Sequence, residues 1–529
     1  IALVNKRQTN ADNCILKIAI DVPLFQLFDY EFIKKKQHSP KIGCRALVPF
    51  GRQKKVGIIL EIVDESDLPK SKLRQCISII DQNPIFAESD LWMISFASKY
   101  YQHPIGRVIA AALPSYLKKD RPAISLVEEI KITKKGKEII PDEIMRRTPK
   151  QAKLISYFQK KQSITVDVLN KAGIEWRSQR KNLLKKEWVT ISHIPSKLNI
   201  QKNVSTPVMG PTLNSEQNIA VNQIKETQNF KAFLLDGITG SGKTEVYLRI
   251  ILEVLKTGKQ CLILVPEIGL TAQFIERLIK RIGIEPVLLH SSLTEHQRFK
   301  AWQMTREPQT KLILGTRSAI FAPIYNLGII IVDEENDVSY KQQDGFRYSA
   351  RDLAVTKAKY FDIPIILGSA TPSLESLNLI QQKKYTKLSL QKRAGNAQLP
   401  SMHLVDMTKE YAPDGLSPSL IRTIKKHLKK DGQILIYINR RGFAPTLICT
   451  SCNHIAQCLR CDSRMTVYLS QNKLACHHCG SSRKYTDKCI NCSGEYKALG
   501  QGTQRLEEVL GKYFPNILIK RIDSDSTRL

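Results

Sequence analysis

The sequence predicts a multidomain α/β protein. A β-rich N-terminal unit and a winged helix lead into a buried parallel sheet, and a second, partial α/β segment is interrupted by a cysteine-rich insert. Three observations predict this. From Thr212 the continuous apolar runs AFLLDG, CLILVP, PVLLH, KLILGT, LGIIIVDEE and IPIILGS alternate with helical patterns, as strands of a parallel sheet covered on both faces do. Residues 14–115 instead alternate short β-rich runs with turn signals. Of 12 cysteines, those between Cys449 and Cys492 fall into successive C-x-x-C pairs.

Composition bounds the reading. The chain has 529 residues and is 42% hydrophobic, enough for several domains with cores of their own. Its 81 Lys and Arg against 49 Asp and Glu leave a net charge of +32, which calls for a polyanionic partner, nucleic acid first and an anionic membrane surface second. No apolar run approaches the ~18–20 residues that span a bilayer, and IALVNKRQTN lacks a signal-peptide core. A cytoplasmic protein with no membrane partner is expected. Residues 1–13 carry no structural signal.

In chain order, residues 14–115 supply the runs CILKIAIDV, RALVPF and VGIILEIV and a helix around SDLWMISFASKYYQ. Residues 116–205 begin with a basic linker, Lys118 to Lys137, followed by helical periods and a closing strand in winged-helix order. A helix from Glu175 to Lys186 would carry Arg177, Arg180, Lys181, Lys185 and Lys186, a basic face suited to phosphates or simply solvated. Residues 206–400 form the parallel-sheet lobe. Residues 401–529 start a second α/β lobe (MHLVDM, QILIYIN), broken by the cysteine insert at 447–496 and resumed at ILIKRID. Cys14, Cys44, Cys76 and Cys261 are scattered among apolar neighbours and read as core cysteines.

Two motifs define the chemistry of the lobe. Gly237-Ile238-Thr239-Gly240-Ser241-Gly242-Lys243-Thr244 matches G-x-x-x-x-G-K-[ST], directly after a strand and at the start of a helix. Its backbone N–H groups can close around phosphates, Lys243 can reach the outer phosphates, and the Thr244 hydroxyl can ligate Mg2+. Further on, GIIIVDEEND sets Asp333 and Glu334 at the carboxyl end of a buried strand, where parallel sheets gather ligand sites. Asp333 can hold Mg2+ through water and Glu334 can activate the attacking water, so ATP hydrolysis is the expected reaction. The lobe is thus RecA-like, with VPEIGLT, HSSLT, GTRSAIFAP and GSATPSLES lining a single-strand track at its strand ends.

The pairs Cys449/Cys452, Cys458/Cys461, Cys476/Cys479 and Cys489/Cys492 have the spacing of zinc knuckles and suffice for two closed structural Zn2+ sites. The knuckles can be combined in different ways, which spacing alone does not decide. His454, His477 and His478 lie among them but are not needed as ligands.

Taken together, these motifs resemble the superfamily 2 helicases and, closely, the bacterial primosomal replication-restart helicase family (PriA, primosomal protein N′). The resemblance rests on IDVPLFQLFDY, VPFGRQKKVGIIL, LNSEQ, GITGSGKTEVY, LVPEIGLT, GTRSAIFAP, VDEEND, SYKQQDGFRYSARDLA, GSATPSLES, NRRGFAP and the cysteine pairs. It implies an ATP-dependent 3′-to-5′ DNA helicase that recognises stalled forks and D-loops and initiates primosome assembly. The implied partners are forked and single-stranded DNA, primosome proteins, single-stranded-DNA-binding protein and the machinery that loads the replicative helicase. It implies a 3′-end pocket at Phe28, Asp29, Tyr30, Gly51 and Arg74, with Asp29 accepting the terminal hydroxyl, although an FDY sequence at the end of a short strand is by itself more often simple packing. It also implies adenine reading by Gln217 and an aromatic-rich loop that couples DNA to the ATP site through Tyr340, Lys341, Phe346, Arg347, Tyr348 and Arg351. Stacking rings beside cations suit that task. The zinc pairing it implies is nested, with Cys449, Cys452, Cys489 and Cys492 on one ion and Cys458, Cys461, Cys476 and Cys479 on the other.

Two departures from the family pattern carry expectations. Asn336 stands where the family's DEEHD motif has histidine, so water activation is expected to survive while coupling between DNA and ATP sites weakens. Residues 401–529 contain no Q-x-x-G-R-x-G-R-like arginine motif. Such an arginine is worth on the order of 10³–10⁵ in related phosphoryl transfer, so slow turnover is expected. The competing readings are a fork-binding scaffold with an inert motor and an RNA-acting helicase.

Overall fold

The computed structural model describes residues 13–33, 39–124, 126–195, 206–266, 272–394, 400–407, 409–410, 415–438, 446–461, 463–468, 472–476, 478–499 and 503–522. Contacts divide the chain into two units, Ile1–Gln398 and Leu399–Leu529. The segments EIGLT (267–271) and NRRGFAP (439–445), His477 and the tail from 523 lie outside the described residues.

The first unit opens with a 6-stranded sheet in the order Arg74–Gln75, Phe28–Ile33, Asn13–Ile20, Gln53–Val63, Arg45–Phe50, Ser78–Ile79. The almost unbroken apolar run of Asn13–Ile20, buried on both faces, suits a strand inside the sheet. Leu16, Ile18 and Ile20 enter one core with Tyr30, Phe32 and Val48. Ala19 faces the opposite side, among residues of the helices Glu88–Tyr100 and Ile105–Ala112.

Where a winged helix is expected, the structure has a 3-stranded sheet, Ser163–Thr165, Leu126–Ile132 and Val189–Pro195, with helices Pro149–Lys161, Val166–Lys171 and Arg180–Lys185. One of its strands lies inside the lysine-rich segment expected to be a linker. The basic helix is also shorter than expected. Trp176, 1% exposed, is drawn into the core, and only a 3₁₀ turn at Arg177–Gln179 precedes the α-helix. Arg180 pairs with Glu128 at 2.7 Å and Lys186 donates to Gln151 at 3.0 Å, while Arg177, Lys181, Lys185 and Lys186 are exposed.

The lobe is a 7-stranded sheet in the order Val287–Leu289, Leu312–Gly315, Gln260–Leu264, Leu327–Asp333, Ile365–Ser369, Ala232–Gly237, Tyr385–Leu390. Every neighbouring pair is parallel. Apolar clusters cover both faces, which is why its strands read as continuous apolar runs rather than alternating ones.

In the second unit the helices Pro418–Leu428 and Thr503–Tyr513 pack through Ile424, Leu506, Val509 and Leu510. Strands Thr446–Cys449 and Tyr496–Leu499 pair antiparallel, and Thr466–Tyr468, Lys473–Ala475 and Ser482–Lys484 form a 3-stranded sheet. The strands expected at MHLVDM, QILIYIN and ILIKRID do not join a ladder among the described residues. In QILIYIN and ILIKRID, Ile436, Ile438 and Ile519 pack on the helix pair while Leu435 and Leu518 are 90% and 83% exposed; the apolar residues of MHLVDM are all exposed. Among the described residues this unit therefore shows a helix pair with an apolar face, and these runs are not paired into a sheet. No helix among the described residues is long and apolar enough to cross a membrane.

Candidate functional site

The phosphate-loop segment connects the buried strand Ala232–Gly237 to the helix Lys243–Lys256. Gly242, the helix N-cap, has φ +84°, and a Cβ there would lie 2.4 Å from Gln217 Nε2. Only glycine allows both the turn and the approach. Lys243 Nζ donates to Gly237 O at 2.8 Å across the loop, which also contains Ile238, Thr239, Gly240, buried Ser241 and Thr244. Gln217, 4% exposed, accepts from Asn214 N through Oε1 at 2.9 Å and donates to Ser241 O through Nε2 at 2.8 Å. The structure therefore makes Gln217 a strut between the LNSEQ helix and the phosphate loop.

Asp333 ends the strand Leu327–Asp333, with only Ile365–Ser369 between it and the phosphate-loop strand. The two motifs thus share one carboxyl edge. Tyr247, on the phosphate-loop helix, donates through Oη to Asp333 Oδ1 at 3.0 Å and ties them directly. Burial raises the Asp333 carboxyl above the usual carboxylate range, opposed by the Tyr247 hydrogen bond and the Lys243 charge. Burial likewise raises Glu334, with Lys243 opposing. Glu334 has φ +47°, an uncommon conformation for a side-chain-bearing residue and one concentrated at functional turns.

The next two residues of the motif were not assigned roles by sequence reasoning beyond the departure at Asn336. Glu335, 1% exposed, accepts from Ser373 N at 2.7 Å, Ser373 Oγ at 3.0 Å, Ser376 Oγ at 2.9 Å and Arg351 Nη1 at 3.1 Å. Asn336 accepts from Ser369 Oγ at 2.7 Å and donates to Thr371 Oγ1 at 3.2 Å. Asn336 thus hydrogen-bonds the acidic motif to GSATPSLES. A run of consecutive acids at a strand end signals Glu335. Nothing local signals Tyr247, whose partner lies 86 residues away.

The aromatic-rich segment differs from its expected role. Tyr340, Phe346 and Tyr348 are 2%, 6% and 4% exposed, so in this conformation their rings pack inward rather than offering faces to bases. Tyr340 Oη donates to Asp333 O at 2.6 Å and lies 3.0 Å from Leu264 O. Arg351 is held by Glu335, Asp352 and Ser373. Lys341 and Arg347 are the exposed cations of the segment.

Of the residues expected at a 3′-end pocket, Phe28, Tyr30, Gly51 and Arg74 are linked to one another or through Phe50 and Pro49, whereas Asp29 alternates with Phe28 and Tyr30 on its strand and meets Ser66 and Lys17 instead. Asp29 accepts from Ser66 Oγ at 2.5 Å and lies 3.9 Å from Lys17 Nζ. Phe28 packs edge-on against Phe50 at 5.2 Å. Tyr30, 4% exposed, donates to Pro49 O at 2.9 Å and pairs in register with Arg74, whose Nη1 donates to Gly51 O at 3.3 Å. Tyr30 is therefore part of the core of this sheet. Nothing lies within 4 Å of a Cβ built on Gly51, so that side is open.

The cysteines form two clusters, Cys449, Cys452, Cys489, Cys492 and Cys458, Cys461, Cys476, Cys479, with the sulfurs of each within 4.8 Å of one another. Facing sulfurs lie at 3.4 and 3.7 Å in the first and 3.5 and 3.4 Å in the second. A tetrahedral zinc with Zn–S near ~2.3 Å requires about 3.8 Å, so four thiolates at each place fit the ion. Backbone amides of Ser451, Arg460 and Asn491 donate to Cys449, Cys458 and Cys489 at 3.4, 3.4 and 3.3 Å, fixing the thiolate orientations. His454 is hydrogen-bonded to Tyr496 at 3.1 Å and stands outside both clusters.

Comparison with known proteins agrees with this geometry. Residues 17–114 match the 3′DNA-binding domain of PriA, residues 214–380 the DEAD/DEAH box helicase family, and residues 458–484 the Cys-rich region domain of the PriA DNA helicase. The chain is 41% identical to the replication restart protein PriA of Haemophilus influenzae, over 97% of this chain and 70% of that protein. To the protein of the same name from Bacillus subtilis it is 30% identical, over 94% of this chain and 71% of the relative. Among solved structures, RecG bound to a three-way DNA junction matches 45% of this chain and 29% of that one, at 19% identity and a TM-score of 0.31, too low to carry an argument. On sequence identity, coverage and domain order, the chain belongs to the PriA replication restart family.

Proposed function

We propose that the chain is an ATP-dependent DNA helicase that moves 3′ to 5′, recognises stalled forks and D-loops through the 3′ end of the nascent strand, and initiates primosome assembly. The observation that carries this reading is the shared carboxyl edge of the phosphate loop and the acidic motif, linked by Tyr247 and Asp333 at 3.0 Å. In it, residues 14–115 bind the DNA end, 116–205 contact duplex, 206–400 bind ATP, and 401–529 contribute a partial second lobe stabilised by zinc.

The phosphate-loop amides and Lys243 bind and orient the triphosphate. Gln217 supports the loop and keeps bonding capacity for adenine. Thr244 and Asp333 would hold Mg2+, whose charge offsets that of the phosphates. The raised Glu334 carboxyl is suited to accept a proton from the attacking water. Asp29, sparsely exposed and already a hydrogen-bond acceptor, is suited to a terminal 3′ hydroxyl, with Arg74 beside the last phosphate. The helicase-family match favours a motor over an inert scaffold.

Binding of forked DNA ending in a 3′ hydroxyl, compared with the same fork ending in a 3′ phosphate, tests the end-recognition part. The hydroxyl form is expected to bind more tightly, and Asp29→Ala should erase the difference. Equal binding of the two forks by the unaltered chain would refute it.

A further inference from the structure

The turn between the helices Glu88–Tyr100 and Ile105–Ala112 belongs to the segment matching the DNA-end domain, yet it packs on the aromatic-rich segment of the ATP-binding lobe. Tyr101 Oη accepts from Ser349 N at 3.1 Å and faces Ser349 O at 3.5 Å. Its ring lies edge-on to Phe346 at 5.8 Å, with Lys341 Nζ 5.2 Å from its centroid. His103 stacks on Phe346 at 5.1 Å. The turn is fixed from within: Gln102 sits at φ +48°, His103 N donates to Ser98 O at 2.9 Å, and Ser98 Oγ donates to His103 O at 2.7 Å.

Each side of this clasp leads to a site. Ser349 caps the helix Ala350–Tyr360, whose Arg351 holds Glu335, the neighbour of Glu334. Tyr340, at the other end of the same segment, is bonded to the carbonyl of Asp333. Toward the N-terminus, Gly106 packs so closely that a Cβ would lie 1.8 Å from Ile20 O, and Arg107 pairs with Asp21 at 3.2 Å. Ile20 and Asp21 lead into the short connection before Phe28 and Asp29.

We propose that Tyr101 and His103 are positioning residues that clasp the aromatic-rich segment, so that occupation of the 3′-end pocket and nucleotide binding at the acidic motif are thermodynamically coupled through this turn. The inference rests on the functional reading above. Packed and hydrogen-bonded elements transmit such coupling when both sites bias the same element, and its effect is reciprocal. Burial and neighbouring charge push the Tyr101 phenol up to about 12, so it remains a hydroxyl near neutral pH.

The test measures affinity of the full chain for a non-hydrolysable ATP analogue with Mg2+, with and without a saturating oligonucleotide ending in a 3′ hydroxyl. The oligonucleotide is expected to shift the affinity by at least about fivefold, the lower range of allosteric coupling. His103→Phe, which keeps a stacking ring, should retain the shift. Tyr101→Phe and His103→Ala should bring it close to unity while leaving each separate affinity and the unfolding temperature near those of the unaltered chain. Nucleotide binding with no shift in the unaltered chain, or a shift persisting in both variants, overturns the inference. Absence of nucleotide binding altogether would instead sink the functional reading, and this inference with it.

Discussion

Replacing Asn336 by alanine removes the acceptor for Ser369 Oγ and the donor to Thr371 Oγ1, at 2.7 and 3.2 Å, without touching Asp333 or Glu334. These are neutral hydrogen bonds, one part-buried and one exposed, so each is worth about 0.5–1 kcal/mol net. Their combined loss, ~1–2 kcal/mol, corresponds to roughly a 5- to 30-fold change in an equilibrium or rate. The loss should fall on communication between the acidic motif and GSATPSLES rather than on the hydrolytic groups. The assay is steady-state ATP hydrolysis with and without single-stranded DNA, expressed as the ratio. Asn336→Ala should lower that ratio by the stated amount with basal hydrolysis little changed, and Asn336→His, which also carries a donor and an acceptor, should keep most of it. An Asn336→Ala chain with the unaltered ratio would refute the bridging role.

Further outcomes follow from buried groups. Glu335→Ala leaves Arg351 and the Ser373 and Ser376 donors without their shared acceptor, so unfolding of the lobe should become easier by ~3–5 kcal/mol, measured by denaturant titration; a change below about 1 kcal/mol contradicts the network. Metal analysis should find two zinc ions per chain. Cys452→Ser and Cys492→Ser, singly or together, should each remove the same one, whereas Cys452→Ser with Cys479→Ser should remove both; any other pattern rejects the nested pairing. Burial holds the Lys357 amine down to about 8, with the Asp90 charge opposing. Its unfolded value is ~10.4, so between about 8 and 10 the unfolded chain binds more protons and folding stability from this group rises with pH. Comparison with Lys357→Met across that range should isolate the rise, and identical pH dependence in the two chains would contradict it.

Much of the site was legible because its chemistry is contiguous in sequence. The phosphate loop needs a strand, glycines and a helix start in one run, and all of them lie within Ala232–Lys256. The zinc knuckles were legible for the same reason, but their pairing was not a matter of spacing. The antiparallel partners Cys449 and Tyr496 bring the first and last knuckles together, and Thr466–Tyr468 with Lys473–Ala475 brings the middle ones. The family resemblance implied stacking faces at Tyr340, Phe346 and Tyr348, whereas side-chain direction, which the motif does not encode, turns them into the core in this conformation. The helix through Glu175 failed because burial of Trp176 overrode local propensity. Strand patterns at QILIYIN and ILIKRID marked the correct inward face, but a ladder requires neighbours that period alone cannot supply. The link between Tyr247 and Asp333 spans 86 positions and exists only once the sheet order is known.

ATP hydrolysis by this chain, measured with Mg2+ in the presence and absence of forked DNA and compared with Lys243→Ala, tests the motor reading most directly. Hydrolysis, even if slow, is expected to rise when forked DNA is added, and that rise should vanish in Lys243→Ala. A rate that stays at background with DNA present, or a stimulated rate that survives loss of the Lys243 amine, would contradict it.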